Sequence, residues 1–107
     1  MLYQELRRLE ASGQPIRVGA HGAGWMGGGF AAQMAQTRGM ELSVLADADV
    51  ASARAALVAT GLADNDILEL NSPGLAEDAL RVGKRVVTAD LSLMAQLESV
   101  DIITDVT

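Results

Sequence analysis

A short apolar run, Ile16 to His21, enters from Pro15 and leads directly into Gly22-Ala23-Gly24-Trp25-Met26-Gly27, three glycines spaced G-x-G-x-x-G. A run this short, bounded by proline and glycine, suits a buried strand better than a helix. Beyond it Met26, Phe30 and Met34 recur at every fourth position while Gly27, Ala31 and Ala35 make a parallel row of small side chains. That pattern predicts a helix with a bulky ridge and a flat strip for close packing, stopping near Gly39. A strand turning through glycines into a helix opens a β-α-β unit, and a second strand parallel to the first must follow.

Glu41 to Asp47 fits that second strand: its alternation is poor, but Val44, Leu45 and Ala46 are continuously apolar, as in a strand covered on both faces. Asp49 is placed to cap a helix whose Val50, Ala53 and Leu57 share one side before Gly61 stops it. Residues 62–71 carry no readable pattern. Ser72-Pro73 is an N-cap followed by proline at the first helical position, opening a helix to about Val82 with Gly83 as its stop. Lys84 to Thr88, with Arg85, Val86 and Val87, reads as a strand, Asp90 caps a helix through Leu97, and Val100 to Val106 is a β-branched final strand. Leu2, Leu6 and Leu9 put one face on a leading helix that Gly13 ends. The expected organisation is an N-terminal helix over 1–14 and, over 15–107, an α/β Rossmann-type doubly wound parallel sheet that breaks off inside or just after its fourth strand. Such a chain is expected to be the front half of a larger protein, or a piece that compensates by homo-oligomerisation.

Composition narrows the partners. Eight Lys plus Arg against fourteen Asp plus Glu leave a formal charge of −6, so no positive field attracts nucleic-acid phosphates. With no cysteine and one histidine, His21, thiolate metal sites and disulfides are excluded, and no metal is expected. No residue between Val18 and Thr37 carries a formal charge, but six glycines with Gln33 and Gln36 make the stretch too polar and flexible for lipid. Neither a membrane span nor a signal peptide is expected, and the composition suits the cytoplasm.

The glycine motif gains meaning from its setting. Ile16 to Leu45 has the length of a β-α-β unit, ~30 residues, and Asp47 follows Gly27 by twenty positions. In a dinucleotide-binding turn Gly22 permits the tight bend, Gly24 leaves room for a diphosphate, and Gly27 lets the helix lie close to the sheet. The backbone N–H groups around Trp25 and Met26 would face the phosphates, so charge is bound without a lysine. Asp47 at the end of the second strand can accept from the ribose hydroxyls and repel a 2′-phosphate. NAD is therefore favoured over NADP, with Arg54 on the next helix leaving NADP open. His21 reads as structural, since no Ser, Cys or second His stands near it in sequence. Met26, Met34 and Met40 read as core filler, and Glu69, Glu77 and Asp78 as a solvated acidic surface.

IRVGAHGAGWMG, VLADAD, GKRVVTAD and VDIITDVT together resemble the N-terminal NAD(P)-binding domain of homoserine-dehydrogenase-like oxidoreductases, particularly those that carry a C-terminal SAF domain. The resemblance covers nearly the whole chain and implies hydride transfer between NAD(P) and a small alcohol or carbonyl substrate. It implies a phosphate loop at Gly22, Ala23, Gly24, Trp25, Met26 and Gly27, a ribose acid at Asp47, and strand-end cofactor contacts at Thr88, Ala89, Val106 and Thr107. The family's catalytic residues fall beyond residue 107, so none is carried over. His21 departs from the family's usual aliphatic residue, and the glycine run 27–29 is looser than usual. Two alternatives stand beside this one: the glucose-fructose-oxidoreductase-like group, which shares the glycine loop and a VADxD-type second strand, and a non-catalytic NAD(H)-binding module.

Overall fold

The computed structural model describes residues 15–22, 39–105 and the separate positions 4, 5, 8, 32, 34, 36 and 37. Strand β1 spans Ile16–His21 and β2 Met40–Ala46; then come helix α1 (Val50–Val58), a 3-10 turn (Asp64–Asp66), β3 (Ile67–Glu69), α2 (Pro73–Arg81), β4 (Arg85–Thr88), α3 (Leu91–Ala95) and β5 (Ile102–Asp105). The five strands form one sheet in the order β3-β4-β2-β1-β5, and every pairing is parallel. The fold is thus α/β with a Rossmann-like parallel sheet. The N-terminal helix is represented only by the helical residues Gln4, Glu5 and Arg8; Leu2, Leu6 and Leu9 lie outside the described residues.

Parallel strands need crossovers, and the crossovers cover both faces of the sheet. One face packs Leu42, Leu45, Val18 and Val87 against Met34 and against Ala53, Ala56 and Leu57 of α1, with Met40 partly buried beside them. The other packs Val44, Ala46 and Val86 against Ala76, Ala79 and Leu80 of α2 and Leu93, Met94 and Leu97 around α3. Each large side chain buried in these layers contributes about 1.5–3 kcal/mol.

The poor alternation of β2 has a structural cause. Val18 pairs with Leu42 but Gly19 pairs with Val44, so Ser43 is an extra residue in the ladder. The bulge reverses the parity of the strand, which is why Leu42 and Leu45 share one core layer while Val44 and Ala46 occupy the other. Ser43 is fully buried, and its hydroxyl donates to Glu41 Oε2 at 2.9 Å.

The expected boundaries of α1, α2 and α3 hold with small shifts, whereas the expected helix from the glycine motif to near Gly39, with Met26, Phe30, Ala31 and Ala35, lies largely outside the described residues. The Asp49 side chain accepts the Ser52 N–H at the start of α1, and Asp90 does the same for Ser92 at α3. Gly39, Gly61 and Gly83 adopt positive φ where helical or turn segments end. Pro73 opens α2, but the Ser72 side chain makes no capping bond, and α3 stops at Ala95, short of Leu97.

Two findings depart from the sequence reading. Residues 62–71 hold a fifth strand: β3 lies outside β4 at the sheet edge, its preceding turn held by Arg54–Asp64 at 3.1 Å and Lys84–Asp66 at 2.8 Å. Glu77, expected in a solvated acidic surface, is partly buried and ties α2 to the turn before β5. It accepts the Ser99 N–H at 3.1 Å and the Ser99 hydroxyl.

Partial burial pushes the Glu77 carboxyl up, but the Ser99 hydrogen bonds, a backbone contribution from Glu98 and the Arg81 charge outweigh it, so the group ionises below its ordinary value. A lowered folded-state value stabilises the fold above the unfolded value of about 4.3, and that contribution fades as the pH falls through the folded value. Glu77→Ala is expected to cost about 1 kcal/mol at neutral pH. Urea denaturation of both proteins over a pH series should show the gap closing on acidification. A gap that persists unchanged well below pH 4 would contradict the assignment.

Candidate functional site

In an open parallel sheet the ligand crevice forms outside the carboxyl ends of the strands, where the strand order reverses. Here the chain moves outward from β1 to β2, and later returns across the sheet to set β5 on the opposite side of β1. The reversal therefore lies between β1 and β5. At its corner stands Gly22, the residue directly after β1, buried with φ 104°. Side chains rarely tolerate that backbone conformation, so glycine is required for the turn itself. The Gly22 N–H donates to Ala46 O at 2.8 Å, tying the turn to the end of β2.

Asp47 follows β2 immediately and lies one strand spacing, ~4.8 Å, from the β1 terminus. Its N–H donates to Thr88 O at 2.9 Å, and its Oδ1 accepts the Asp49 N–H at 2.8 Å. Asp49 in turn caps α1, with the Ser52 hydroxyl donating to its Oδ2 at 2.8 Å. Asp47 is partly buried. The acid is thus held by its own turn at the head of the strand, within one chain of hydrogen bonds running from β4 through β2 to α1.

Thr88 ends β4 in register with Ala46. It is fully buried; its hydroxyl donates to Asn71 Oδ1 at 2.8 Å and accepts the Asp90 N–H at 3.0 Å. Its side chain is thus a strut within the wall, and Ala89 beside it is the exposed member of the pair. His21 ends β1, paired in register with Ala46 on one side and Asp105 on the other, and is partly buried. Ala23, Gly24, Trp25, Met26, Gly27, Val106 and Thr107 lie outside the described residues. Asn71, which sequence reading passed over, joins the site through Thr88. Nothing in its local sequence signals this, because the partner stands seventeen positions away.

Charge is distributed unevenly along the strands. Arg17 and Arg85 lie at the amino end of the sheet, where both approach Glu41 at 3.8 and 3.2 Å, and Lys84 just precedes β4. Arg54, the residue that could have met a 2′-phosphate, donates to Asp64 O and Oδ1 at 3.0 and 3.1 Å. That engagement points its guanidinium to the turn before β3. The carboxyl end carries Asp47, Asp49 and Asp90 and, among the described residues, no Lys or Arg. With no Lys or Arg among them, backbone N–H groups are the natural donors to an anion bound there.

Among the described residues no group of three or more histidine or acidic side chains is arranged to hold a metal ion, and no helix is long and apolar enough to cross a membrane. No protein-family model matches the chain, and comparison with curated proteins finds no match.

Proposed function

We propose that this chain binds a nicotinamide dinucleotide, NAD in preference to NADP, as the N-terminal cofactor domain of an oxidoreductase resembling homoserine dehydrogenase. The observation that carries the reading is the corner at Gly22. A glycine with positive φ ends the strand at which the sheet order reverses, and an aspartate heads the neighbouring strand. The residue set fits the group: the positive-φ Gly22 and the glycine-rich sequence after it for the diphosphate, Asp47 for the ribose hydroxyls, and Ala89 as a small exposed side chain beside Thr88.

When bound, NAD supplies hydride transfer; the protein supplies orientation. Gly22 turns the chain out of β1 at the corner where the diphosphate is proposed to sit. Asp47, braced by Asp49 and Thr88, fixes the ribose and disfavours a 2′-phosphate by charge. Arg54 is committed to Asp64 and offers no counter-charge to that phosphate. In the full-length protein the nicotinamide end would face a small alcohol or carbonyl held by residues outside this sequence. The partners proposed with this reading are the dinucleotide, that substrate and a second copy of the chain, in the cytoplasm.

Titrating the chain with NADH, read by nucleotide fluorescence, should show saturable binding without oxidation of added homoserine or other small alcohols when NAD is supplied. Absence of binding at about 1 mM NADH, which corresponds to less than ~4 kcal/mol of affinity, overturns the reading. Turnover by this chain alone would instead place catalytic residues within it.

A further inference from the structure

Asn71 stands at the outer end of the row formed by the strand termini, two residues past β3. Its amide oxygen faces Thr88. The Thr88 hydroxyl accepts the Asp90 N–H at 3.0 Å and donates its proton to Asn71 Oδ1 at 2.8 Å. The amide oxygen thus faces the buried side. The amide nitrogen, a double donor, is left on an exposed residue with no partner among the described residues.

The row gives this donor a role. From Gly22 after β1, through Asp47 after β2 and Thr88 at the end of β4, to Asn71 after β3, the strand termini succeed one another across the sheet. Asp47 and Asn71 are two strand spacings apart, ~10 Å, comparable to the length of an adenosine from its ribose hydroxyls to the far edge of its base. Between them Thr88 is wholly buried and Ala89 is exposed, so neither residue at the end of β4 sets a bulky side chain there. Purine ring nitrogens are acceptors, and the Asn71 amide nitrogen is the complementary donor.

Resting on the dinucleotide reading above, we infer that Asn71, oriented by Thr88, is a base-recognition residue whose amide nitrogen donates to a ring nitrogen of the adenine. It is a binding residue for the adenosine half of the ligand and takes no part in hydride transfer.

The test uses ADP-ribose, which keeps the adenosine half and lacks nicotinamide, alongside NADH and reduced nicotinamide mononucleotide, each titrated calorimetrically. Asn71→Asp keeps an acceptor for the Thr88 hydroxyl but replaces the donor with a second acceptor. It is expected to weaken ADP-ribose and NADH by the same factor, about tenfold, with the mononucleotide unaffected and the urea midpoint unchanged. Asn71→Ala removes both the donor and the tie to Thr88, and should show the same ligand pattern with a lowered midpoint. Undiminished ADP-ribose affinity in a folded variant overturns the inference while leaving NADH binding by the parent chain intact. A parent chain that binds neither NADH nor ADP-ribose overturns the dinucleotide reading and this inference together.

Discussion

Asp47→Ala is expected to lower NADH affinity by about tenfold to a hundredfold and to bring NADPH affinity up toward that of NADH. Hydrogen bonds from neutral hydroxyls to a carboxylate contribute about 1.5–3 kcal/mol, which sets the size of the loss. Removing the negative charge also removes the repulsion that a 2′-phosphate would meet, so the preference collapses from both sides. The substitution has a local cost as well, because Asp47 Oδ1 accepts the Asp49 N–H. Asp47→Asn separates the two effects: it preserves an acceptor for that N–H and discards the charge. If charge discriminates between the nucleotides, the asparagine variant shows the loss of preference while retaining the parent's thermal midpoint. Unchanged affinities for both nucleotides across both variants would remove Asp47 from the site.

Gly22→Val should damage stability and binding together. At φ 104° a side chain is strained by about 1–3 kcal/mol, and a β-branched one lies toward the upper end of that range. The cost falls on a buried residue whose N–H is already committed to Ala46 O at 2.8 Å, so the turn cannot relax without breaking that tie. We expect a destabilisation of about 2–3 kcal/mol in urea and no detectable NADH binding. Gly19→Ala on the same strand is the comparison. Its new Cβ would meet Met94 Sδ at 3.0 Å and Val100 Cγ1 at 3.3 Å, so the flexible Met94 side chain must give by a few tenths of an ångström. It lies away from the turn and should leave NADH affinity unchanged. A Gly22 variant that binds NADH like the parent would show that this corner is only a connection between strand and helix.

The parts of this fold legible from sequence are those whose causes are local. Asp49 and Asp90 announce their helices because a cap is a contact over two or three residues, and Gly39, Gly61 and Gly83 mark stops because each takes a positive φ. The strands at Ile16–His21, Met40–Ala46 and Arg85–Thr88 each hold a short apolar centre, Val18 to Ala20, Val44 to Ala46 and Val86 to Val87, as burial on both faces demands. The illegible parts have distant causes. β3 is three residues long and exists because Ile67, Leu68 and Glu69 pair with Arg85, Val86 and Val87; no periodicity can appear in so short a run. Ser43 looks like one more strand residue until the register against β1 exposes the bulge. Glu77 reads as one acid among several, and only Ser99, far along the chain, makes it a clamp. Asp47 could be nominated by its distance from the glycines, whereas Asn71 depends wholly on the packing of β3 beside β4.

The two borders of the sheet differ in a way that matters for the behaviour of the isolated polypeptide. At one border β3 is three residues long, with Ile67 buried and Leu68 partly so. At the other, Ile102 and Ile103 of β5 are 46% and 49% exposed, and successive strand residues point to opposite faces. Among the described residues β5 pairs with β1 alone, and an outermost strand with greasy side chains above and below can template another extended segment. Accretion of a further strand is thus favoured at the β5 border, on the side of β5 away from β1 and flanking the proposed nucleotide crevice. Solubility and ligand affinity should accordingly respond to what occupies that flank.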